Sequence, residues 1–291
     1  MRALHPALVP ERIVIADVDT RCLGSRGTGP ALLLLHGYTD SADTWRPVLE
    51  QLARRGRAAV AVDLPYHGAA GLPSAPPSLP KFDEFVTAAT QYADTGDGVI
   101  IVGNSLGALL AVRAAHSQLP GLNGVLALGT PGSVISPALR ALPRFGPVVA
   151  RAVSVVPLPS FLLSEAAGWV YWLACTGGKA SALARRTYSS HLNRTRLSRL
   201  IELGARVVPE IERAPRLGAL SVPAILWWGS RDFVCPARGA EAFTGVGQIV
   251  LEPGGPHCPQ LANPDLVLSL LDRLETQIAS AAAVRGKSNP A

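Results

Sequence analysis

A serine held between two glycines, Gly103-Asn104-Ser105-Leu106-Gly107, is the most chemically suggestive stretch of the chain. It follows the apolar run Val99 to Val102 and precedes a helix-like pattern that begins at Ala108. A sharp strand-to-helix turn in that context forces the serine into a tight conformation, and the glycines leave room for the backbone to turn. The Oγ then projects at the carboxyl edge of a sheet, near the positive end of the following helix. An ordinary serine hydroxyl is a weak nucleophile, so a base is required within hydrogen-bonding reach. Of six histidines, His257 is the candidate, because it follows a predicted last strand, Gln248 to Leu251, through the loop Glu252-Pro253-Gly254-Gly255-Pro256. The base in turn needs a carboxylate to hold its tautomer and stabilise the imidazolium. Asp232, in GSRDFVCP directly after the strand-like VPAILWWG, is placed for that role, with Glu252 as the nearest rival; the loop of the preceding strand, LALGTPGSV, has no carboxylate.

Acyl transfer also needs two donors aimed at the developing alkoxide. His36-Gly37-Tyr38 follows the strand ALLLL where such a turn belongs, and the candidate donors are the backbone N–H groups of Tyr38 and Leu106. The His36 side chain reads as a structural histidine holding that turn, Asp63 of DLPYHG as an organiser of its own loop, and His67 is left unassigned. Cys22, Cys175, Cys235 and Cys258 lie far apart with no CxxC pair, so neither a zinc site nor a thioredoxin-like motif is suggested; no cofactor is expected.

These groups need a scaffold that brings loop ends together. Short apolar runs followed by helix-compatible stretches recur in ALLLLHG, WRPVLEQLARRG, AAVAVDLP, FDEFVTAATQYAD, VIIVGNS and LGALLAVRAAHSQ, and the rhythm resumes with VPAILWWG and GQIVLEPGG. Strands buried on both faces read this way, so a parallel sheet with crossover helices is expected, an α/β fold. Between about residues 131 and 220 no strand signal is strong. The stretch reads as helices broken by Pro137, Pro143, Pro147, Pro157, Pro159, Gly177, Gly178 and Pro209, and it is expected to form a helical cap inserted into a core of residues 1–130 and 221–280. Residues 281–291 read as an unstructured tail. Phe161, Leu162, Trp169, Tyr171 and Trp172 make the cap greasy, and Trp169, Tyr171 and Trp172 are its candidate substrate contacts.

Composition narrows the function classes. With 48% hydrophobic and 16% charged residues, 291 residues suffice for one large core. A net charge of +6 and the arginines between Arg185 and Arg199 come without aromatic stacking platforms, so no nucleic-acid partner is expected. Arg151, Glu165 and the prolines interrupt the cap's apolar stretch before a membrane-spanning length, and peripheral membrane contact of the cap stays open without support from the sequence. The amino terminus lacks an apolar signal core, which with the unpaired cysteines makes the cytoplasm the expected location.

HGYTDSADTW, GNSLG, GSRDFVCP and GGPHCPQLANP, in this order, resemble the landmarks of the α/β-hydrolase superfamily over residues of about 30 to 130 and 220 to 280. The order Ser105, Asp232, His257 matches that fold class. The resemblance implies an eight-stranded, mostly parallel sheet with flanking helices, a metal-free Ser-His-Asp site, and a variable cap that selects substrate. Similar landmarks occur in carboxylesterases, lipases, cofactor-free perhydrolases and hydrolases of ring-cleavage products. The last commonly carry a second glycine after the elbow and an aromatic residue after the histidine, where this chain has Ala108 and Cys258. Epoxide-hydrolase and dehalogenase relatives use an aspartate nucleophile, which Ser105 excludes. The leading expectation is a carboxylesterase-like serine hydrolase acting on a small apolar ester; perhydrolysis, lyase or carbon–carbon cleavage with the same triad, and a silent binding protein, are the alternatives. Oligomeric state is not readable.

Overall fold

The computed structural model describes residues 8–287 apart from 74, 133, 156–158, 193 and 216. Eight strands form one sheet: β1 (Glu11–Ile15), β2 (Val18–Ser25), β3 (Thr28–Leu35), β4 (Arg57–Val62), β5 (Val99–Asn104), β6 (Leu122–Leu128), β7 (Ala224–Gly229) and β8 (Gln248–Glu252). Their spatial order is β1-β2-β4-β3-β5-β6-β7-β8. β1 and β2 pair antiparallel, β2 meets β4 antiparallel, and all remaining pairs are parallel.

Side-chain alternation divides the interior into two layers. Leu33 and Leu35 of β3 join Phe82, Phe85 and Leu109 on one side of the sheet. Leu32 and Leu34 point the other way, onto Leu49 and Leu271. The first layer is covered by α2 (Leu79–Ala93) and α3 (Leu106–His116), the second by α1 (Arg46–Arg54) and the last helix, α9 (Pro264–Lys287), which follows the single turn α8 (Pro259–Ala262). Burial on both faces is why β5, VIIVGN, has no exposed position.

Among the described residues four helices stand between β6 and β7: α4 (Pro137–Val155), α5 (Ser160–Thr176), α6 (Ala182–His191) and α7 (Arg194–Arg213). Three expected breaks are absent, because α4 runs through Pro143 and Pro147 and α7 through Pro209. Each proline removes one main-chain bond, yet α4 and α7 pack along each other's length, as where Gly146 meets Ala205 and Ile201, and that contact sustains both helices. Pro157 lies outside the described residues. The carboxyl end differs too: α9 continues to Lys287, past the boundary at 281, because Ala281, Ala282 and Ala283 are strong helix formers.

Candidate active site

Ser105 occupies the junction of β5 and α3 with φ +53° and ψ −116°, a strained conformation for a residue with a Cβ. Its neighbours explain the flanking glycines. A Cβ on Gly103 would lie 2.2 Å from the Gly107 carbonyl oxygen, and one on Gly107 would lie 2.2 Å from that of Leu35. The Ser105 N–H donates to the Leu128 carbonyl at 2.8 Å, which ties the elbow to the end of β6.

The loops after β7 and β8 meet beside that point. His257 Nδ1 faces Asp232 Oδ2 at 2.6 Å, and both residues are buried. Asp232 Oδ1 accepts the N–H groups of Val234 and Cys235 at 2.9 and 2.7 Å, so the carboxylate cannot rotate away from the ring. Burial pulls the His257 imidazole towards the neutral form, but the Asp232 charge and hydrogen bond overrule it and hold the pKa up at about 9. With His257 as general base, the expected kcat/KM climbs with pH as the imidazole deprotonates and levels off above about 9. The stability side has the opposite sign: the pairing contributes fully below the ordinary histidine pKa of 6.5 and is lost as pH rises through 9. A pH profile of kcat/KM flat from neutral pH upwards would sink this reading of the pair.

Asn104, which the sequence reading passed over, organises the same corner. Its Nδ2 donates to the carbonyls of His257 at 2.9 Å and Leu128 at 3.2 Å, and its Oδ1 accepts Gln260 Nε2 at 3.2 Å. Its position inside the glycine-flanked turn was the available signal. The Ser105 side chain makes no hydrogen bond to His257 here and stands against the Cys235 thiol, whose pKa burial pushes up.

The turn after β3 lies over Ser105: a Cβ on Gly37 would be 3.1 Å from Ser105 Cβ. Among the described residues no main-chain acceptor takes the N–H of Tyr38 or of Leu106, the first residue of α3. His36 Nε2 accepts the Leu64 N–H at 2.9 Å and Nδ1 faces the Gly37 carbonyl at 2.8 Å, so the ring splices two loops together. Burial lowers its pKa, in keeping with a neutral ring that accepts at Nε2. Asp63 receives Arg21 Nε at 2.8 Å and the N–H groups of Ala42 and Ala69 at 2.7 Å each.

The described α/β-hydrolase family model matches residues 32–270. The chain belongs to the α/β hydrolase family. This hydrolase is 30% identical over 262 residues to a pimeloyl-[acyl-carrier protein] methyl ester esterase of Xanthomonas campestris pv. campestris, covering 85% of this chain and 95% of that one. An uncharacterized protein of Mycobacterium tuberculosis is 29% identical over 279 residues, covering 89% and 80%. Among solved structures, an α/β hydrolase fold protein from Burkholderia ambifaria superposes with a TM-score of 0.74 at 18% identity, covering 90% and 96%.

The hydrolase leaves space beside Ser105. The cavity there, about 40 Å³, is walled by Leu106, Ile135, Leu139, Leu203, Val207 and Ile211, among others, and Trp169, Tyr171 and Trp172 are not among its lining residues. α7 and the start of α4 supply the wall instead of α5. Trp172 Nε1 donates to the Ala180 carbonyl at 2.8 Å, and Trp169 stands half exposed under the Arg185 guanidinium. Tyr171 is buried, stacked on Tyr188 with ring centroids 3.8 Å apart, and its hydroxyl donates to Asp40 Oδ2 at 2.5 Å. Tyr38 Oη donates to the Leu200 carbonyl and Thr39 Oγ1 meets Tyr188 Oη at 3.1 Å, so residues 38–40 are tied to the inserted helices at three points.

Proposed function

We propose that the protein is a serine esterase that cleaves esters of apolar acyl groups through an acyl-enzyme on Ser105. The observation that carries this reading is the strained Ser105 at the floor of an apolar cavity, with a buried His257–Asp232 pair beside it. Rotation of the Ser105 side chain from Cys235 towards His257 is the first step. Oγ attacks the ester carbonyl as its proton passes to His257 Nε2, while Asp232 holds Nδ1 and stabilises the imidazolium. The negative oxygen forms where the Tyr38 and Leu106 amides can donate. His257 then returns the proton to the leaving alcohol, and a water, activated by the same imidazole, releases the acid and restores Ser105. The Xanthomonas relatives are named as esterases of a methyl ester on an aliphatic acyl group, which accords with a wall of Leu, Ile and Val side chains.

Residues 131–220 act in this reading as a cap that selects substrate and supplies no group to the proton transfer. The cavity of about 40 Å³ exceeds the roughly 10–15 Å³ that a single water needs. Its apolar wall is where an acyl chain would lie in this reading. Leu203→Ala is expected to weaken discrimination between p-nitrophenyl esters differing by one or two methylenes by about 1–3 kcal/mol. Trp172→Ala, a substitution outside the cavity, should leave that ratio unchanged. The test is kcat/KM across esters of increasing chain length, with a fluorophosphonate to count competent serines. A shift caused by Trp172→Ala and not by Leu203→Ala would return the pocket to α5, and wild type that neither hydrolyses the series nor labels would overturn the esterase reading.

A further inference from the structure

Ten of the seventeen large hydrophobic side chains left exposed among the described residues fall between Phe145 and Leu183, on the inserted helices. Scattered single exposures are ordinary, whereas a concentration of this kind marks an interaction surface. The exposed residues also keep helical spacing. On α5, Leu162, Ala166, Trp169, Val170 and Leu173 recur at intervals of three and four and form one stripe open to solvent, with Val170 67% exposed. On α4, Phe145, Val148, Val149, Ala152 and Val155 do the same, with Val148 70% exposed. An amphipathic helix of a globular domain turns such a stripe inward; these two leave theirs in water.

Charge says what would cover them. Residues 131–220 carry twelve Lys and Arg against four Glu, while the rest of the chain has fifteen basic and seventeen acidic residues, so the whole positive excess belongs to the insertion. α4 has no acidic residue, and its Arg144 and Arg151 are exposed beside Val148 and Val149. The one acid of α5, Glu165, is neutralised by Arg185 Nη1 at 2.6 Å, and the same guanidinium lies 4.3 Å from the Trp169 ring. A second copy meeting this face across a two-fold axis would set arginines against arginines. A lipid surface that bears phosphates offers both an anion for the guanidiniums and an apolar boundary for the stripes, with an indole at the level between them. No helix of the described residues is long and apolar enough to cross a membrane, so the contact is peripheral.

We propose that the exposed apolar stripes of α4 and α5 dock on an anionic lipid bilayer at the headgroup–acyl boundary, with Arg144 and Arg151 on lipid phosphates. α4 is also a wall of the cavity at Ser105 through Leu139, so the docked helix and the cavity wall are one element.

The full chain is to be sedimented with vesicles of phosphatidylcholine alone and of phosphatidylcholine containing phosphatidylglycerol. Binding to the anionic vesicles is expected to be about tenfold tighter or more, and to weaken with added salt. Tryptophan emission should shift to the blue on binding as Trp169 leaves water. Val170→Asp with Leu173→Asp is expected to lower partition about tenfold by putting carboxylates in the boundary, and Arg144→Glu with Arg151→Glu to remove the preference for phosphatidylglycerol. Both double variants alter exposed residues that do not line the cavity at Ser105, so turnover of a soluble ester reports that they fold. The proposal is overturned by no sedimentation with either vesicle, by equal binding to both, or by light scattering that shows a dimer which the Val170→Asp, Leu173→Asp variant dissociates.

Discussion

Ser105→Ala is expected to abolish ester turnover, with a loss of about 10⁶ in kcat, the scale seen when a serine protease loses its nucleophile. The folded state should survive, because loss of the hydroxyl, which stands against the Cys235 thiol, removes little packing, and alanine adopts the same backbone at no greater cost than serine. A thermal transition within a few degrees of wild type, with turnover and fluorophosphonate labelling both lost, is the expected pair of results. His257→Ala should be about as severe, and the double variant scarcely worse than either alone, because the members of such a unit do not contribute additively. Ester turnover by Ser105→Ala near the wild-type rate would remove the nucleophile from the scheme.

Asp232→Asn should cost about 10⁴ in kcat, by analogy with the same exchange in a serine protease. The geometry gives the reason. Oδ1 would still accept the N–H groups of Val234 and Cys235, which leaves the new amide nitrogen where Oδ2 now faces His257 Nδ1. That nitrogen can only donate, so the imidazole proton moves to Nε2, and the base loses the lone pair that should take the serine proton. The variant also removes the charge that holds the imidazole pKa up, leaving burial to pull it down. The pH profile of the residual activity should therefore rise at lower pH than that of wild type. Glu252→Gln is the control: an inactive Glu252→Gln beside an active Asp232→Asn would make Glu252 the acid.

The elbow was legible because local stereochemistry dictates it. A strand, a tight turn and a helix cannot be joined at Ser105 unless Gly103 and Gly107 lack a Cβ, and that demand is written in consecutive residues. His257 and Asp232 could be nominated because each follows an apolar strand by a short loop, and parallel strands deliver their carboxyl ends to one edge. The rhythm of apolar runs likewise determined the α/β class, since strands covered on both faces must be apolar throughout.

Direction was what the sequence by itself could not supply. Asn104 reads as an arbitrary residue inside a turn until the end of β6 and the His257 loop come within reach of its amide. The stretch Gly168-Trp169-Val170-Tyr171-Trp172-Leu173 is apolar at nearly every position, so no periodicity says which side faces the core. Only the packing of α5 on α6 turned Tyr171 inward to Asp40 and left Trp169, Val170 and Leu173 in water. The cavity at Ser105 is walled by α7, through Leu203, Val207 and Ile211, where Tyr38 is anchored on that helix at Leu200. Short-range steric demands leave a signature in neighbouring residues, whereas the choice of which helix face covers a site is made by partners 160 residues apart, as Tyr38 and Leu200 are to within two positions.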